Sequence, residues 1–125
     1  MNIISVFIGG GLGALSRYIC VQHISNKFIP NFPLGTLFVN SIGSLIIGFL
    51  YKTFETYVVP IELRLFLITG FLGGYTTFST YSLETVQFLI NGNYKQALFN
   101  ILLNNILCIS FVVFGILLSK AFVVK

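Results

Sequence analysis

An all-α membrane protein of four transmembrane helices, the third of them broken, is the fold class this sequence predicts, and three observations predict it. The chain is 56% hydrophobic and only 8% charged, which leaves too few polar groups to cover a water-facing surface. Charge-free stretches run from Met1 to Ser16, Phe28 to Tyr51, Leu65 to Leu83 and Gln96 to Ser119, and a bilayer-crossing helix needs ~20 mainly apolar residues. The third stretch carries glycines and hydroxyl residues at its centre, a composition that a straight membrane helix does not hold.

The spans are placed at Ile3 to Ile24, Leu34 to Tyr51, Leu63 to Ile90 and Ala97 to Val124, with ~3 residues of tolerance at each end. The first stretch lacks the basic start and small-residue cleavage site of a signal peptide, and Arg17 interrupts it, so it is read as a span. Pro30 and Pro33 bracket the first connection, Pro60 opens the third span and Asn91-Gly92-Asn93 ends it. The spans nearly use up the 125 residues, which predicts one transmembrane domain over 1–125 and places any function inside the helix bundle.

Seven Lys and Arg stand against three acidic residues, but they are spread singly and form no patch, which disfavours nucleic-acid binding. Lys52, Arg64, Lys120 and Lys125 fall on the side of the termini and Lys27 and Lys95 on the other. So small a difference suits either insertion in both orientations or a modest preference for termini inside. Cys20 and Cys108 fall within spans, where a thiol behaves as a small hydrophobe; neither a disulfide nor a metal site is expected there. His23, near the end of the first span, is read as interfacial.

In the second span Thr36, Asn40 and Ser44 share a face at steps of four. An asparagine amide offers two N–H donors, which suits an anion losing its water; the competing reading is polar glue between helices. Gly9, Gly13, Gly43 and Gly48 are read as close-packing positions. The third span, from Gly70 through Gly73 and Gly74 to Thr80, puts three glycines and five hydroxyl residues in mid-membrane. The helix is expected to break there, and unwound backbone survives at that depth only when buried in protein or lining a wet cavity. Discontinuous membrane helices recur as ion sites, with carbonyls facing cations and helix amino ends facing anions.

Phe78 and Tyr81 lie on one helical face just after the expected break. Ring edges carry positive potential and can attract a desolvated anion, though core packing is the competing reading. Arg17 and Glu84 are ionisable groups inside spans, which implies a function or a partner unless each reaches the headgroups. In the last span Asn100, Asn104 and Cys108 repeat the polar stripe. No nucleophile with a base, acidic pair or phosphate loop is present, which excludes the familiar enzyme classes.

Three motifs, Gly9-Gly-Gly-Leu-Gly-Ala-Leu-Ser-Arg17-Tyr18, Gly35-Thr36-Leu-Phe-Val-Asn40-Ser-Ile-Gly43 and Gly70-Phe-Leu-Gly73-Gly74-Tyr-Thr76-Thr77-Phe78-Ser79-Thr80-Tyr81-Ser-Leu-Glu84, stand in this order in spans one to three. Together with the four-span layout, the chain resembles the Fluc (CrcB) family of fluoride channels over essentially its whole length. The resemblance implies an antiparallel dual-topology dimer, either of identical chains or of two paralogous subunits, with two pores along the interface and a structural Na+ at its centre. It implies that Gly73 and Thr76 hold the sodium through backbone carbonyls, that Asn40 lines the pore beside a polar track of Thr36 and Ser79, that Phe78 and Tyr81 present ring edges to fluoride, and that Arg17 sits in the vestibule. Three positions depart from the family pattern. Tyr81 stands where phenylalanine is usual, and Asn100 and Asn104 stand where tyrosine and serine are common, Asn104 being counted here among the pore residues. The function implied is passive, selective export of fluoride across the cell membrane. A proton-coupled drug exporter would need a carboxylate in mid-membrane of the first span, which is lacking; a non-conducting assembly subunit is the remaining alternative.

Overall fold

The structure, a computed structural model, describes residues 1–25 and 31–123. Lys27, Pro30 and Lys125, and the expected end of the fourth span at Val124, lie outside the described residues. Within them all regular structure is helical: α1 (Asn2–Ser25), α2 (Leu34–Thr56), α3 (Ile61–Arg64), a π-wound segment (Leu65–Leu72), α4 (Gly73–Tyr75), α5 (Phe78–Ile90) and α6 (Tyr94–Phe122). α1, α2 and α6 are each long and apolar enough to cross a membrane. α2 runs past the expected end at Tyr51 as far as Thr56, and α6 starts before Ala97, at Tyr94.

The punctuation follows backbone chemistry. Pro60 directly precedes α3, and its carbonyl accepts from the amides of Leu63 and Arg64, each at 3.1 Å; a ring-locked φ favours such a start, where a missing N–H costs nothing. α5 ends on Gly92 at φ +73°. The Asn93 amide donates to the Phe88 carbonyl at 2.8 Å and the Gly92 amide to the Leu89 carbonyl at 3.1 Å. This is the left-handed glycine cap that closes the last turn of a helix.

Helices pack through glycine. A Cβ on Gly48 would strike the Val112 carbonyl, and one on Gly115 the Leu45 carbonyl, so α2 and α6 meet almost backbone to backbone. α1 does the same with the third stretch: Gly9 faces the Phe66 carbonyl, Gly13 the Phe71 carbonyl, and Gly74 the Gly10 carbonyl. Small residues allow this approach where there is no water to drive helices together.

The break is present, but the glycines do not make it. Gly70, Gly73 and Gly74 lie within continuous helical winding, and extended backbone begins at Thr76 (φ −88°, ψ 159°) and Thr77 (φ −151°, ψ 115°). The physical reason is contact: a Cβ at Gly70 would lie 2.9 Å from the Val6 carbonyl oxygen, so Gly70 and Gly74 serve the seam with α1. Gly43 of α2 in turn receives the Thr76 methyl.

The exterior is apolar, and polar side chains share the interior with Leu37, Val39 and Leu72. Ile3 and Phe7 are more than four-fifths exposed, whereas Asn100, Ser119 and Thr36 are at most 1% exposed. An apolar exterior with the polar side chains turned inward is the distribution that a lipid solvent selects.

Candidate functional site

The extended backbone at Thr77 presents its N–H and C=O to one side, as a residue in a β-strand does. The carboxamide of Asn40 fills that edge. Thr77 N–H donates to Asn40 Oδ1 at 2.8 Å, and Asn40 Nδ2 donates back to the Thr77 carbonyl at 3.1 Å. The remaining hydrogen of that Nδ2 goes to Asn104 Oδ1, also at 3.1 Å. Asparagine is thus a peptide mimic here, and its two donors, which the sequence offers to an anion, are both engaged within the chain.

From Asn104 the hydrogen bonds continue in one direction. Asn104 Nδ2 donates to the carbonyl of Asn100 at 3.1 Å and to its Oδ1 at 2.9 Å. Asn100 Nδ2 donates to Thr85 Oγ1 at 2.9 Å, and Thr85 donates to the Tyr81 carbonyl at 2.8 Å. The series leaves the break through α2, crosses α6 and returns to α5. Each buried amide in it would cost ~1–3 kcal/mol if left unpaired, so the members hold one another in place.

The break also releases carbonyls. In an unbroken helix the Thr77 amide would donate to Gly73; here it is committed to Asn40. The Thr76 carbonyl accepts from Arg17 Nη1 at 3.2 Å, a cation placed at the carboxyl end of a helical run, where the helix dipole favours it. α5 restarts on the Thr77 hydroxyl, which accepts from the Thr80 amide at 3.2 Å.

Beside the break lies a groove of about 390 Å³, open along one side. Asn40 and Ser44 of α2, Gly73, Thr76 and Thr77 of the break, Phe78 and Tyr81 of α5, and Asn104, Asn105 and Cys108 of α6 line it together with the aliphatic side chains of Ile47, Ile68, Leu72 and Ile109, so that most of its surface is apolar. Phe78 stands 77% exposed, its ring centroid 5.3 Å from that of Tyr81 at an interplanar angle of 59°. Asn105 Nδ2 donates to the Tyr81 hydroxyl at 3.2 Å.

Of the nine residues expected from the sequence to form the pore or hold the sodium, six therefore meet in one place: Asn40, Gly73, Thr76, Phe78, Tyr81 and Asn104. Thr36, Ser79 and Arg17 lie outside the groove lining. Thr36, a turn along the stripe from Asn40, is buried and donates to Glu84 Oε1 at 2.6 Å. Ser79 is exposed and shares a hydrogen bond with the Thr77 hydroxyl at 3.2 Å. The two ionisable groups inside spans thus have partners, Arg17 in a carbonyl and Glu84 in a hydroxyl. Glu84 Oε2 is buried with no partner among the described residues. Two members of the site, Thr77 and Thr85, drew no separate attention in the sequence. A Thr three residues ahead of a second Thr at a helix start is a cap signal that could have marked Thr77; Thr85 had no comparable mark.

The sequence pattern of the family described as "CrcB-like protein, Camphor Resistance (CrcB)" matches residues 4–116. A protein of Hydrogenobaculum sp. named "Fluoride-specific ion channel FluC" is 50% identical over 117 residues, 92% of this chain and 94% of that protein. Proteins with the same name from Nitratiruptor sp. and Pyrococcus abyssi are 49% and 47% identical, covering 94% and 92% of this chain and 91% and 93% of their own lengths. With apolar helices able to span a bilayer and a family match over nearly the whole chain, this is a multi-pass membrane protein and it belongs to the CrcB family.

Proposed function

We propose that the chain forms a fluoride-selective channel that lets the anion leave the cytoplasm by passive electrodiffusion and so protects the cell against fluoride. The observation that carries this reading is a groove at a helix break, where carboxamides and hydroxyls meet the exposed ring of Phe78 on an otherwise apolar wall, in a chain half identical to a protein named as a fluoride-specific ion channel. Hydrogen fluoride crosses membranes as a neutral acid and ionises at neutral cytoplasmic pH; an open path then suffices for the anion to flow out.

Residues 1–125 act as one transmembrane domain of four crossings, the third of which is the discontinuous stretch from α3 to α5. The Gly73 carbonyl and the Ser44 and Tyr81 hydroxyls would be costly to leave facing acyl chains, which supports closure of the groove by a second subunit, identical or paralogous, packed antiparallel so that the route runs along the interface. Phe78 would turn a positive ring edge toward the ion, while Asn40, held by Thr77 and Asn104, fixes the wall. Thr36 and Ser79 extend the polar track beyond the groove, and Arg17 adds positive charge beside it.

A structural Na+ fits the same joint. Gly73 has a carbonyl released by the break, and the Thr76 carbonyl keeps a second lone pair beside its bond from Arg17. Neutral carbonyl oxygens from unwound backbone are the donors that sodium takes in membrane proteins. Gly73 and Thr76 would hold the ion, and when bound it would supply a fixed positive charge between the two subunits.

The test is an efflux assay on the purified chain alone in liposomes, read with a fluoride electrode. Fluoride leaves and chloride stays; equal release of both anions overturns the reading.

A further inference from the structure

A fluoride ion in this groove needs hydrogen-bond donors, and most of the side-chain donors lining the groove are already committed. Both N–H bonds of Asn40 go to Thr77 and Asn104, and both of Asn104 go to Asn100. Asn105 donates to the Ile101 carbonyl and to the Tyr81 hydroxyl. Thr76 bonds the Leu72 carbonyl at 2.9 Å, and Thr77 donates to Thr80 at 3.0 Å. Among the described residues, the hydroxyls left with an undonated hydrogen on this wall are those of Ser44 and Tyr81.

The two are not equivalent. A helical serine can turn its hydrogen back to its own helix, whereas the Tyr81 oxygen accepts from Asn105, so its hydrogen must point elsewhere. The Tyr81 ring is largely covered, with 9% of the residue exposed, and it packs against Phe78. The phenol tip is thus fixed at the groove beside the exposed ring. Resting on the fluoride-channel reading, we propose that the Tyr81 hydroxyl is a fluoride-binding donor in this chain, oriented by Asn105, so that one ring-edge contact is replaced by an O–H···F− hydrogen bond. Fluoride accepts hydrogen bonds more strongly than chloride, and the added donor sharpens the choice between them.

The chain has six tyrosines and no tryptophan, so phenol absorption can be read without interference. In the purified full-length protein, adding sodium fluoride should red-shift part of the tyrosine band, and sodium chloride should not. Tyr81→Phe should abolish that response and weaken the apparent fluoride affinity in liposome flux by about tenfold, the scale of a hydrogen bond to a charged group. Asn105→Ala, which keeps the phenol but frees its oxygen, should give a reduced response. A fluoride-induced spectrum that persists in Tyr81→Phe, or unchanged affinity in that variant, overturns the proposal. Wild-type flux alone decides the channel reading, and the spectrum decides the donor without any flux.

Discussion

Asn40 works here by shape rather than by offering free donors. Its carboxamide matches the exposed edge of Thr77 atom for atom, an acceptor facing the N–H and a donor facing the carbonyl, and its last hydrogen reaches Asn104. Asn40→Asp keeps the acceptor and removes both donors, leaving carboxylate oxygen against two other oxygens. Each unpaired acceptor costs ~1–3 kcal/mol, and the new charge also lies on the route proposed for an anion. The variant should lower the thermal midpoint of the detergent-solubilised protein and reduce fluoride efflux by about tenfold or more; wild-type values in both assays would show that Asn40 is not the clamp. The importance of Asn40 was readable from its stripe with Thr36, because a carboxamide in mid-membrane needs a reason. Its partner was not readable, since nothing in the order of residues brings position 77 beside position 40. Thr85 was hidden for the same cause: hydroxyl residues are common in membrane helices, and only the packing of α5 on α6 gives this one Asn100 as a neighbour.

At the level of whole helices, the glycine-rich third stretch shows what sequence can and cannot specify. That it breaks was readable from its composition, but the place of the break depends on α1, which claims the glycines for its own seam. A Cβ at Gly9 would fall on the Phe66 carbonyl, a backbone atom that cannot swing aside, while one at Gly11 would meet nothing within 4 Å. Gly9→Ala should therefore destabilise the fold by about 1–3 kcal/mol, the usual cost of overpacking, and Gly11→Ala should be neutral. Thermal unfolding of the two variants in the same detergent checks the contrast; equal midpoints would mean the seam is looser than its geometry implies. Hydropathy, by contrast, located α1, α2 and α6, because the hydrocarbon thickness sets a minimum length whatever a helix packs against, but it did not foresee that α2 continues from Tyr51 to Thr56.

For the molecule as a whole, the open groove and the joint at Thr76 raise one question, what balances the partial charges of a helix cut in mid-membrane. Within the chain, Arg17 covers the Thr76 carbonyl at 3.2 Å, while the Gly73 carbonyl loses the amide that an unbroken helix would give it. Two such joints brought together across a dimer would concentrate carbonyl oxygens at one point, where a cation offsets them. If sodium takes that role, replacing it with N-methylglucamine at constant ionic strength should lower the thermal midpoint of the dimer and raise the monomer fraction in size-exclusion chromatography. Titrating sodium back should restore both, since a ligand bound to the assembled state stabilises it by mass action. An assembly equally stable in both salts would leave Arg17 as the sufficient partner of the break and remove the ground for a structural ion.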